Sequence, residues 1–102
     1  MQVIVDVCVV PIGVGVSLSR YVAACGEVLE AAGLKHEPGP NGTAVEGEWD
    51  AVFAAVRACH ERVHAMGAPR VHTTVKVGTR VDRVQTIEDK VASVAAVRNA
   101  AG

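Results

Sequence analysis

Residues 2–10, QVIVDVCVV, form an almost unbroken apolar run that stops at Pro11. A valine-rich run closed by proline reads as a β-strand. Successive strand side chains point to opposite faces. Val3, Val5, Val7 and Val9 therefore share one face. Ile4, Cys8 and Val10 share the other, where Asp6 is the exception. A strand apolar on both faces is buried on both. Whatever this chain folds into must place material above and below this segment.

The remaining pattern says what that material is. Residues 18–32 carry Val22, Cys25, Val28, Leu29 and Ala32 at helical spacing. Ser17 or Ser19 is positioned to cap the start and Gly33 to end it. Residues 34–37, LKHE, read as a short strand. PGPNG at 38–42 contains Asn-Gly, a hairpin signal, and TAVEGE at 43–48 returns as the next strand. Residues 49–66 form a second helix with Val52, Phe53, Val56, Cys59, Val63 and Met66 inward, stopped by Gly67. Residues 70–80 alternate, with Val71, Thr73, Val75 and Val77 opposite His72, Thr74 and Lys76. Thr86 opens a third helix, with Asp89 three residues on in a capping-box arrangement.

The order β-α-β-β-α-β plus a terminal helix predicts an α+β fold. It is a ferredoxin-like sandwich with a four-stranded antiparallel sheet and an extra C-terminal helix, one domain over residues 1–102. Tyr21, Trp49 and Phe53 are the only aromatic residues, so the core is built from Val, Ala, Leu and Ile. Two helices cover one sheet face. The other needs the third helix, a second subunit or a ligand.

Several function classes are disfavoured. The formal charge is −1 with acids and bases interspersed, so no basic stripe points to nucleic acid. No apolar stretch approaches the roughly 20 residues of a membrane span. Asp6 inside the first apolar run argues against a signal peptide. Cys8, Cys25 and Cys59 are odd in number and lack CxxC spacing, which suits free thiols in a reducing cytoplasm and no metal centre.

Three features invite chemistry. The first is VVPIGVGVSLSRY at 9–21, a Gly-x-Gly between strand and helix. A dinucleotide fingerprint needs a third glycine and a parallel βαβ unit, and a Walker loop needs Gly-Lys-Ser/Thr. Neither is present. The loop reads as a flexible turn whose glycines tolerate positive φ, or as a wall of a small-molecule pocket. The second is His60 and His64, four apart on a helix and able in principle to reach one metal. Glu61-Arg62-Val63 between them is not the zinc-protease pattern, and a solvated helix edge is the plainer role. The third is the polar set Asp6, Glu46, His72, Thr74 and Lys76 on the second sheet face, either a subunit-interface network or a polar pocket. No arrangement singles out a nucleophile.

The stretches VVPIG with SLSRYVA, GLKHEPGPNGTAVEGEWDAV, CHERVHAMGAPRVHTTVKV and EDKVASV together resemble the YkoF-like thiamine-binding family over nearly the whole chain. The resemblance implies a ferredoxin-like fold and a homodimer or homotetramer. It also implies non-catalytic binding of thiamine or its hydroxymethylpyrimidine part, with no other cofactor. Relatives carry DDRRDK after the last strand, where this chain has Gly78-Thr79-Arg80-Val81-Asp82-Arg83, so contacts made there are not carried over. Thiamine pairs a positive thiazolium with an aminopyrimidine edge of donors and acceptors. On this reading Asp6 or Glu46 balances the charge. Ser17, Ser19, Thr43 and Thr74 read the pyrimidine edge, and Tyr21 or Trp49 stacks on a ring. The alternatives are an enzyme acting on a related heterocycle, with His72 or Glu46 as general base, and a ligand-free regulatory or structural oligomer.

Overall fold

The chain, in a computed structural model that describes residues 1–101, forms β1 (Gln2–Ile12), α1 (Ser19–Ala31), β2 (Lys35–Pro38), β3 (Thr43–Glu48), α2 (Trp49–Ala65), β4 (Arg70–Gly78) and α3 (Ile87–Ala101). The strands assemble in the order β2-β3-β1-β4, all antiparallel, which is the ferredoxin-like arrangement. β1, the doubly apolar run, is an inner strand. Its residues 2–7 pair with β3 and residues 4–12 with β4. Beyond Val7, β1 therefore has no strand on its β3 side.

α1 and α2 cover one face. Val3, Val5 and Val7 of β1 pack there with Val45, Leu29, Val52, Val56 and Cys59. A second cluster joins Tyr21, Val63 and Ala68. The inner stripe of α2 follows the predicted spacing. That of α1 is rotated: Tyr21, Ala24 and Leu29 are buried, while Val22 is 53% exposed. Neither Ser17 nor Ser19 caps α1. Leu18 occupies the cap position with no side-chain hydrogen bond, and Ser19 is the first helical residue. Both helices end as expected at glycines with positive φ, Gly33 (69°) and Gly67 (101°). In each, an amide beyond the glycine reaches back five residues, Leu34 N–H to the Leu29 carbonyl and Ala68 N–H to that of Val63.

The PGPNG segment makes the expected hairpin, although neither Asn41 nor Gly42 adopts positive φ, so the turn is not the two-residue Asn-Gly type. Gly42 is required for another reason. A Cβ there would lie 2.8 Å from Oδ1 of Asp6.

Cross-strand register places the polar set on the opposite, open face. Ile4 lies beside Glu46, Asp6 between Ala44 and Lys76, Cys8 beside Thr74 and Val10 beside His72. Thr86 and Asp89 form the capping box that opens α3, each backbone N–H donating to the other's side chain at 3.0 and 3.1 Å. α3 packs on the sheet chiefly at β3 and does not cover the open face. Asp6, His72, Thr74 and Lys76 stay exposed, as do Val91, Val94 and Val97. The radius of gyration is 15.2 Å, against about 13 Å for a compact chain of this length.

Candidate functional site

Two concave sites, at opposite ends of β1, accompany this architecture. The first opens just beyond the start of β3, where Thr43 pairs with Val7. β3 has six residues against eleven in β1, so the edge of β1 from Cys8 to Val10 faces a gap rather than a strand. α1 closes that gap on one side with Leu18, Ser19, Val22 and Cys25. The hairpin closes it on the other with Pro40, Asn41, Gly42 and Thr43. The cavity measures about 590 Å³, and none of its lining residues is charged. Gly13 and Gly15, at φ 88° and 97°, form the turn that brings fully exposed Val16 to its rim. The glycine loop is thus a backbone reversal beside a cavity, with no lysine or arginine in it before Arg20. The polar contacts on offer are the Ser19 and Thr43 hydroxyls, the Asn41 amide and unpaired backbone of β1. The Asp6 carboxylate adjoins the Gly42 wall from the open face.

All three cysteines line this cavity and all are free thiols. Cys59 and Cys25 meet where α1 crosses α2, the Cys59 thiol donating to the Cys25 carbonyl at 3.6 Å. Its hydrogen bonding with Cys25 and its burial hold the Cys59 thiol well above the usual range, which favours the protonated form at neutral pH.

The second cavity, about 580 Å³, lies at the other end of β1 between Ile4, the Gly33–Lys35 turn, Gly78 and the segment from Thr79 to Thr86. Glu46 stands in it, but it is engaged. Lys35 Nζ pairs with one oxygen at 2.9 Å and Ile87 N–H donates to the other at 2.8 Å. Lys35 also pairs with Glu88. These contacts, Glu88 first and then Glu46, raise the Lys35 pKa, and Lys35 in turn lowers that of Glu88. Arg80 grips Asp82 through two N–H···O bonds of 2.6 and 2.7 Å, which holds that carboxyl down to about 2.

The eight residues proposed from sequence are not brought together. Ser19 and Thr43 line the first cavity and Glu46 the second. Ser17 is exposed beside the first without lining it, and Asp6 and Thr74 stand on the open face. Tyr21 is 1% exposed, a core residue whose hydroxyl accepts from Arg20 at 2.7 Å. Trp49 stacks on Phe53 with ring centroids 4.8 Å apart, outside both cavities. His60 bonds the Thr73 hydroxyl at 2.7 Å and His64 donates to the Ala68 carbonyl at 2.9 Å. Among the described residues no three His, Cys, Asp or Glu side chains cluster to hold a metal. Sequence reading missed Leu18, Val22 and Asn41 at the first cavity and Lys90 at the second. The signal available for the first was the mismatch between a long first strand and a short third.

Fold and cavities together define a small ferredoxin-like α+β protein with a neutral cleft at one end of its inner strand and a cation-lined cleft at the other. Residues 5–95 match the family described as thiamine-binding protein, and the chain belongs to that family. It is 63% identical over 94 residues to a UPF0045 protein of Synechocystis, covering 92% of this chain and 78% of that one. It is 38% identical over 96 residues to the UPF0045 protein YqgV of Bacillus subtilis, covering 89% and 92%. A crystal structure of a hypothetical protein from Methanocaldococcus jannaschii superposes with a TM-score of 0.86 at 33% identity, over 92% of this chain and 96% of that one. A Thermotoga maritima protein named for a candidate role in thiamine biosynthesis/salvage superposes with a TM-score of 0.79 at 26% identity, over 92% and 99%.

Proposed function

We propose that this protein binds thiamine, or its hydroxymethylpyrimidine part, without turning it over, and that the neutral cavity beneath α1 receives the pyrimidine. The cavity itself carries the reading. Its volume of about 590 Å³ lies within the roughly 300–1,000 Å³ common for small-molecule sites. Its walls are aliphatic with a few polar groups, which suits a flat, uncharged heterocycle with a polar edge. Ser19, Thr43 and Asn41 are the groups to read that edge, and Asp6 beside Gly42 is the carboxylate to face a thiazolium. Glu46 is less suited to that task. It is already neutralised by Lys35, and Arg80, Arg83 and Lys90 around it repel a cation. The same engagement argues against Glu46 as a general base, and His72 stands exposed on the open face with no carboxylate bonded to it among the described residues. Both points support binding over catalysis.

The working unit on this reading is a homo-oligomer, a dimer or tetramer. The open face retains half-buried Ile4, Cys8 and Val10, and α3 presents Val91, Val94 and Val97 to solvent. A second copy is the partner that buries them. Sedimentation equilibrium at micromolar concentration tests this, and a clean 10.6 kDa species would overturn it. Isothermal titration with thiamine and with hydroxymethylpyrimidine tests the ligand. Ser19→Ala and Thr43→Val should each weaken binding about five- to tenfold, the worth of one hydrogen bond. No heat with either compound, or wild-type affinity in both variants, would remove this reading.

A further inference from the structure

The second cavity carries an inference independent of the thiamine reading. Its lining holds four cations, Lys35, Arg80, Arg83 and Lys90, and a single carboxylate, Glu46. The acids nearby do not restore balance inside it. Glu46 is saturated by Lys35 and the Ile87 amide. Asp82 is held by Arg80, Glu88 by Lys35, and Asp89 caps α3 at Thr86, and none of these three lines the cavity. Two cations are left over. Among the described residues no carboxylate forms an ion pair with Arg83 or Lys90, although Asp82 and Asp89 lie within electrostatic reach of Arg83. Lys90 projects its ammonium over Gly78, 3.9 Å from where a Cβ would stand, so the strand end has no side chain to screen it. Thr79 and Gln85 add neutral hydrogen-bonding groups on the same wall.

We infer that this cleft, between the end of β4 and the start of α3, is a binding site for a compact phosphate-type anion, a diphosphate or a phosphate ester. A guanidinium and an ammonium without internal partners, converging on one concavity, are the pairing a multiply charged oxyanion uses. Arg83 supplies a planar fork and Lys90 a point charge. The neutral cavity has no cation on its lining, so the two ends of β1 divide the chemistry between an uncharged ring and an anion.

The test is isothermal titration of the full chain with inorganic pyrophosphate, at low ionic strength and at about 0.15 M salt, where exposed charges are largely screened beyond about 8 Å. The expected result is one site per chain whose affinity falls with salt. Arg83→Gln and Lys90→Gln should each weaken it about fivefold, the upper end for an exposed ion pair, and the double variant about twentyfold. Inorganic phosphate should compete with pyrophosphate and thiamine should not. Arg57→Gln on α2, remote from the cleft and paired with Glu61, should change nothing. Absence of pyrophosphate binding at low salt would overturn the inference, and so would wild-type affinity in the double variant or an equal loss in Arg57→Gln. Thiamine affinity, measured on the same variants, reports the other cavity. It should be unmoved, so failure at one site is distinguishable from failure at the other.

Discussion

Glu46 is the fastening of α3, and its removal should release that helix without unfolding the rest. The helix has few other attachments. Within one chain its valines touch little, and it meets the sheet chiefly at β3, where Glu46 accepts from Ile87 N–H at 2.8 Å and pairs with Lys35 at 2.9 Å. A hydrogen bond to a charged group contributes about 1.5–3 kcal/mol. The Lys35 pair, with the lysine 45% exposed, adds no more than about 1 kcal/mol. Glu46→Ala should therefore weaken docking by about 2 kcal/mol, or about thirtyfold in the opening equilibrium. A free helix of 15 residues is marginal in water, so undocking and fraying coincide. Hydrogen exchange read by mass spectrometry should show faster exchange across residues 87–101, with β1, α1 and α2 unchanged. Glu46→Gln keeps an acceptor for the Ile87 amide and loses only the charge, so its effect should be about fivefold. Acid should loosen α3 in the same direction, to a smaller extent. Lys35 lowers the Glu88 pKa below its ordinary 4.5, and bonds to Thr86 lower that of Asp89 below 3.8. The unfolded segment thus binds more protons, and the stability these groups add is present above those ordinary values and lost as pH falls through the folded ones. Wild-type exchange of α3 in Glu46→Ala, or uniform acceleration through the whole chain, would refute the fastening.

Other perturbations read other parts of the structure. Leu29→Ala empties a site 1% exposed between α1 and the sheet and should cost about 2–5 kcal/mol in urea unfolding. Gly42→Ala drives a Cβ to 2.8 Å from Asp6 Oδ1 and should cost about 1–3 kcal/mol. Much of that should return in the Asp6→Ala background, a coupling a double-mutant cycle measures. Thiol labelling should modify half-exposed Cys25 in the native protein and reach buried Cys59 only on unfolding, when three free thiols should be counted.

Period and punctuation in the sequence were enough for the scaffold. Gly33 and Gly67 mark ends that the structure keeps, whereas β1 runs on through Pro11 to Ile12 beside β4, and the parity of β1, β3 and β4 correctly sorts Asp6, Glu46, His72, Thr74 and Lys76 onto one face. The stripe of α1 was misread because Tyr21 carries both an apolar ring and a polar tip. Grouped with Ala24, Cys25 and Val28, it indicates the buried side, which turns Val22 outward. The sites were less legible for a different reason. Parity tells which face a residue occupies but not which end of the sheet is capped by a loop. Glu46 and Thr43 are three residues apart on one strand and stand in different cavities. What separates them is where β3 begins and where the 79–86 segment passes, both set by tertiary packing.

The position of β1 between β3 and β4 also bears on how the chain emerges from a ribosome. Ile4 is matched by Gly78 across the sheet, 74 positions later, so β1 waits for its last partner while that whole intervening length is synthesised. At about 5–20 residues per second that interval is roughly 4–15 seconds. Through it, a valine-rich segment with β-branched residues on both sides waits without its final neighbour. That is a composition prone to pairing with other extended chains. The β2–β3 hairpin and α2 appear sooner and give Val3, Val5 and Val7 a partial shelter, whereas residues 8–12, which pair with β4 alone, have none. Pro11, which lacks an amide donor, interrupts that stretch and blunts its capacity to template a foreign strand.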